Sequence, residues 1–336
     1  MMEICYLLAF PDSEETTRQP AEQIKGLKDA PYFQPIDMHL STLGEETVVI
    51  EGYAVSVTRQ RYDRRVQMVE CHFDLRDPFA TSVLADRTKI QSALQSRYIP
   101  ETFRRNNLFE EYTILLVQEA KPAPDKWIEK NSTAIANFIR SQREVFDTEE
   151  LNEILASRAR YSAQELTLID WEGAVIIVPN GDYQSDIALL KIGNYQLLRY
   201  RMLDRSVDEM LDKINERFFQ NKRRPRATRG LIRQIAEHRL EVMLDFERAE
   251  QNLLLIGDWY TAKLYEVIQN ELYLKDWKDS LRTKLDNLEN IVQTIKDNFS
   301  LSWETLMDRL QLLGWVLLLV GYIYLYFLDA GFIKLP

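Results

Sequence analysis

The chain has 336 residues, 46% hydrophobic and 28% charged, with 11 glycines and 11 prolines, which excludes collagen-like, low-complexity and largely disordered chains. Its 42 Lys and Arg stand against 52 Asp and Glu, a formal charge of −10, so nucleic acid is not expected as a general partner. Two cysteines, Cys5 and Cys71, and three histidines, His39, His72 and His238, suit neither a disulfide framework nor a zinc cluster.

The apolar run Ile4 to Phe10 follows Glu3 rather than Lys or Arg, and reads as a first β-strand rather than a signal peptide. Thr47–Val57 and Val66–Asp74 are β-rich runs separated by the charged stretch Arg59 to Arg65, as in a hairpin or a pair of neighbouring antiparallel strands. Asp77-Pro78 opens a helix through Leu94, and Tyr112–Val117 is a further strand. Pro122 and Pro124 precede a helix that carries Trp127, Ile128, Ile135, Phe138 and Ile139. Asp147-Thr148-Glu149-Glu150 has capping-box spacing and starts another helix. Leu166–Ile169 and Ala174–Val178 flank Asp170-Trp171-Glu172-Gly173, a hairpin signature. Residues 1–180 are therefore expected to form an α+β domain with a largely antiparallel sheet.

From there the period is helical. Asp186–Phe219 carries Leu190, Leu197, Leu211, Ile214 and Phe218, and the basic stretch Lys222 to Arg229 ends it. Ile232 through Ile256 follow steps of three and four, Gly257-Asp258 marks a corner, and Leu274, Trp277, Leu281, Leu285, Leu288, Val292, Ile295 and Phe299 form a last seam. Residues 181–309 are thus expected to build a long, coiled-coil-like antiparallel helical hairpin. Leu310 to Leu328 carries no charge and would be about 28 Å long as a helix, so it is expected to be a transmembrane helix contacting the lipid bilayer, with 329–336 as a short tail. This layout implies a tail-anchored, single-pass membrane protein with its N-terminal body in the cytoplasm.

Arg160-Tyr161-Ser162-Ala163, Ile169-Asp170-Trp171-Glu172-Gly173-Ala174, and Asn194-Tyr195-Gln196-Leu197-Leu198-Arg199-Tyr200-Arg201-Met202-Leu203-Asp204, with Trp259-Tyr260 and Leu264-Tyr265, resemble the tail-anchored "required for meiotic nuclear division" family and its bacterial relatives. That resemblance implies a membrane-associated structural or assembly role. Long helices above a C-terminal span also resemble CorA-type divalent-cation transporters in architecture, although those have two spans joined by a Gly-Met-Asn loop, which this chain lacks.

Candidates for chemistry are few. Cys71 and His72 are adjacent in a strand and point to opposite faces, so they do not share a metal. His238 has no second His or Cys one turn away. Asp170, Glu172, Asp182 and Asp186 lie around two turns, a composition that turns favour and that could also converge on a hard cation. The Lys222–Arg229 stretch is a solvated loop or a contact for anionic lipid. Gly314 and Gly321, seven apart, would let helices approach closely. There is no GxGxxG, P-loop, GxSxG or HExxH motif, so no catalytic, cofactor-binding or metal residue is assigned. The function expected is a non-enzymatic scaffold, tether or assembly factor, a homo-oligomer that also binds protein partners. The alternative is an oligomeric ion-transport or channel subunit.

Overall fold

The structure is a computed structural model, which describes residues 2–12, 22–23, 39–143, 145–216, 233, 236–237, 239–244, 246–247 and 259–329. The basic stretch 222–229, His238 and the end of the tail, 330–336, lie outside the described residues.

Nine strands form one sheet: β1 Met2–Pro11, β2 Glu22–Gln23, β3 His39–Ile50, β4 Tyr53–Tyr62, β5 Val66–Phe73, β6 Glu110–Val117, β7 Arg158–Ala159, β8 Leu166–Ile169 and β9 Gly173–Ile177. Their order is β2-β3-β4-β5-β1-β6-β9-β8-β7. The pairings are antiparallel except between β6 and β9, which run parallel, so the sheet is mixed. The helices are α1 Thr81–Tyr98, α2 Glu101–Arg105, α3 Pro124–Lys130, α4 Ser132–Ile139, α5 Thr148–Ile154, α6 Gln184–Asn215, α7 Trp259–Glu271 and α8 Leu274–Asp329.

The run Thr47–Val57 is two strands rather than one. Glu51 and Gly52 both take positive φ, 51° and 84°, which gives the two-residue turn between Ile50 and Tyr53 the twist that a hairpin favours. The charged stretch 59–65 is likewise mostly strand: β4 extends through Tyr62, and only Asp63 to Arg65 turn the chain. At the start of α5 the capping carboxylate is in place, with Asp147 Oδ1 accepting from the N–H groups of Glu149 and Glu150 at 2.8 and 2.9 Å.

β1 lies inside the sheet between β5 and β6, which explains why its apolar residues run continuously instead of alternating: both of its faces are covered. Ile4, Tyr6, Leu8 and Phe10 share one face with Val69, Cys71, Phe73, Leu115 and Val117, packed against Ile90 and Leu94 of α1, Ile128 of α3, Ile135 and Phe138 of α4 and Ile154 of α5. The alternate residues, among them Cys5, Glu70 and His72, point to the other face. There α6 and α7 lie, tied down by Lys191 to Glu70 and by Tyr260 to Thr167. The two helices approach closely at Gly193, where an added Cβ would sit 2.5 Å from Ile268 Cγ2.

The chain divides into two compact units, one of residues 1–206 and 242–282, the other of 207–241 and 283–336. Within the second, Met210 and Ile214 cluster with Leu288 and Val292, and Lys284 Nζ lies 2.8 Å from Asp208 Oδ1. The end of α6 and the first third of α8 therefore run side by side in the same direction. Arg239, in the helical residues 239–244, pairs with Glu289.

Among the described residues no helix is long and apolar enough to cross a membrane. α8 is one 56-residue helix, charged over its first half and again at Glu304, Asp308 and Arg309. The transmembrane helix expected over 310–328 is overturned, and with it the tail anchor and the single-pass membrane location.

Candidate functional site

Two polar places stand out in the first unit. The first is buried between the sheet and α6. Pairing of β1 with β5 sets Cys5 directly across from His72, and the two-residue period of β5 brings Glu70 to the same face. His72 Nδ1 is 2.8 Å from Glu3 Oε1, and Nε2 is 2.8 Å from Glu70 Oε1. From α6, Lys191 Nζ donates to Glu70 Oε2 at 2.7 Å and to Gln60 Oε1 at 3.0 Å.

The electrostatics follow from this geometry. Burial works against charge on His72, but the bonds to Cys5, Glu3 and Glu70 outweigh it and raise its pKa to about 12. Burial also opposes charge on Glu70, and the bonds from His72 and Lys191 overcome it, lowering the pKa from 4.5 to about 2. Cys5 and Cys71 are both raised, chiefly by burial, and remain thiols at neutral pH.

Cys5, Glu70 and His72 bring their ligating atoms within 4.8 Å of one another, a set that could hold a metal. Their hydrogen bonds fit an ion-pair network better. A doubly bonded imidazolium has no lone pair to give, a protonated thiol is a poor ligand, and the Lys191 ammonium would repel a cation. The chemistry of this place is cohesion between helix and sheet.

The second place is a cleft of about 680 Å³ where β6 outruns β9. The parallel pairing begins at Thr113 opposite Gly173, so Glu110, Glu111 and Tyr112 extend past it. Glu110 pairs with Arg201, which also donates to the backbone carbonyls of Asn107 and Phe109. Glu111 accepts from the Tyr6 hydroxyl and, at 2.6 Å, from Gln95 Nε2. Glu172, Trp171 and Trp277 complete the mouth. Burial outweighs the pull of the Arg201 guanidinium and raises Glu110 to about 7, with a smaller push from Glu111. Glu172 is also raised, first by burial, with Asp170 and Glu111 adding to it.

The turn carboxylates do not converge. Asp170 is held by Arg140, with Nε 2.8 Å from Oδ2, and Asp186 accepts from Thr167 and from the Tyr260 hydroxyl. Asp182 is exposed, its N–H donating to Asn180 Oδ1, and Glu172 lies in the cleft. Cys71 and His72 do fall on opposite faces, Cys71 in the apolar core. Sequence reasoning missed Cys5, Glu70 and Lys191 because their meeting depends on cross-strand register and on where α6 docks. The local signal was the alternation Glu70-Cys71-His72 itself, two polar residues flanking a buried one.

A family model described as "Uncharacterized protein MJ0711, N-terminal domain" matches residues 2–184, more than half of the chain. The chain belongs to this family. The match covers the sheet and α1 to α5 and ends at the first residue of α6, so it takes in Glu3, Cys5, Glu70, His72, Glu110 and Glu111 but not Lys191 or Arg201. The uncharacterized protein MJ0711 of Methanocaldococcus jannaschii is 25% identical over 206 residues, 61% of this chain. The match spans 63% of that relative's length. No solved structure matches.

Proposed function

We propose that this protein is an assembly or scaffold protein rather than an enzyme, and that it works by self-association through the distal part of α8. One observation carries the reading. Over Leu288 and Val292 the helix is partnered within the chain, whereas from Leu310 to Ile323 every side chain is exposed. Leu312, Trp315 and Leu318 are 67%, 67% and 69% exposed.

A helix apolar all round calls for cover on all sides, and a patch larger than a few hundred Å² marks an interaction surface. Copies of the same chain supply that cover by symmetry, since each carries the same surface. Gly314 and Gly321 have open space where a Cβ would stand, which lets a neighbouring helix come close. The resemblance to the "required for meiotic nuclear division" family also implies an assembly role.

The test is light-scattering mass of the full-length chain after gel filtration, beside Leu312→Lys/Leu319→Lys. A defined oligomer that falls to a monomer in the variant is expected. A wild-type monomer at micromolar concentration, or an oligomer unchanged by the variant, would overturn the reading.

A further inference from the structure

The cleft at the start of β6 has the build of a ligand site, and it is independent of the exposed end of α8. Its volume of about 680 Å³ is far larger than an ion needs and lies within the range of small-molecule sites. Its walls contain three carboxylates, Glu110, Glu111 and Glu172, and among the described lining residues a single cation, Arg201. That guanidinium is committed to Glu110 and to two backbone carbonyls, so it is poorly placed to receive an anion. Trp171 is 40% exposed at the mouth, and Trp277 lines the same space. Indole faces attract cations, more strongly when water is partly excluded.

We propose that this cleft binds a small organic cation, an ammonium or amidinium compound with an apolar body. The charged end is neutralised by Glu111 and Glu172, while the apolar body lies against the two indoles. The raised proton affinities of Glu110 and Glu172 agree with this, since burial disfavours their anions and a bound cation would relieve them.

The experiment is isothermal titration of the full-length protein with benzyltrimethylammonium and, as a control of similar size and opposite charge, benzoate. Saturable binding of the ammonium and none of benzoate is expected. Glu111→Gln and Trp171→Ala should each weaken it by about tenfold, with the native circular dichroism retained. Because Glu111 also accepts from Tyr6 and Gln95, Glu172→Gln at the exposed mouth replaces it if that variant fails to fold. Absence of saturable binding, benzoate bound equally well, or affinity untouched in folded variants would overturn the proposal.

Discussion

Lys191 of α6 and Glu70 of β5 meet with Nζ 2.7 Å from Oε2, and the second oxygen of the same carboxylate is taken by His72 at 2.8 Å. One buried carboxylate therefore joins α6 to β5, and His72 carries the link on to Glu3 of β1. Lys191→Met would leave Glu70 with a single cationic partner in a buried place, and removing one member of such a pair costs about 3–5 kcal/mol. The double variant Lys191→Met/Glu70→Gln, which leaves no uncompensated charge on the carboxylate, should recover at least about 1 kcal/mol of that loss. Urea denaturation of the four proteins of the cycle measures both. Additive effects would show that the pair is not coupled.

The same carboxylate should dominate the acid limb of stability. A pKa lowered from 4.5 to about 2 means that the folded state holds its proton less tightly than the unfolded one. The stability this supplies is present above pH 4.5 and is lost as pH falls toward 2. Glu70→Gln should flatten that limb of the pH–stability curve. A variant curve parallel to the wild type would contradict the assignment.

Glu110 has the opposite sign. Its pKa is raised from 4.5 to about 7, so it favours folding below pH 4.5, and that contribution is lost as pH rises through 7. Glu110→Gln, which keeps the shape and removes the titration, should be relatively more stable than wild type at the upper end of this interval than at the lower. Thermal melts of the two proteins across the interval measure the difference, and a constant offset would count against it.

How far the chain can be read without coordinates depends on the range of the interaction. The strand at Ile4–Phe10, the Asp147 cap and the hairpin around Asp170–Gly173 are local, set by composition and by hydrogen bonds a few residues apart, and the structure has each of them. The turn at Glu51–Gly52 escaped because a non-glycine residue at positive φ leaves little trace in an apolar run. Long-range features were hidden altogether. Cys5 and His72 are 67 positions apart in sequence and are joined only by the register of β1 on β5. The cleft exists because β6 is longer than the start of β9 requires, a relation between strands rather than a motif. At Leu310–Ile323 composition was legible but misleading: an uncharged stretch marks apolar surface, not what covers it.

Gly193 offers a test in which two effects oppose. It lies inside α6, where glycine costs about 1 kcal/mol relative to alanine, so Gly193→Ala should stabilise an isolated helix. In the folded protein the new methyl would stand 2.5 Å from Ile268 Cγ2 and 3.0 Å from Leu272 Cδ1, in the seam between α6 and α7. Real Cβ atoms do not approach so closely. The seam must open, or Ile268 must leave its rotamer, and overpacking of this kind costs about 1–3 kcal/mol. The steric cost is expected to win, giving a net loss of about 1 kcal/mol by denaturant midpoint. In an Ile268→Ala background, which lacks the Cγ2 atom that the new methyl would meet, Gly193→Ala should cost less. A stabilised Gly193→Ala protein would mean that α7 docks on α6 less tightly than the structure places it.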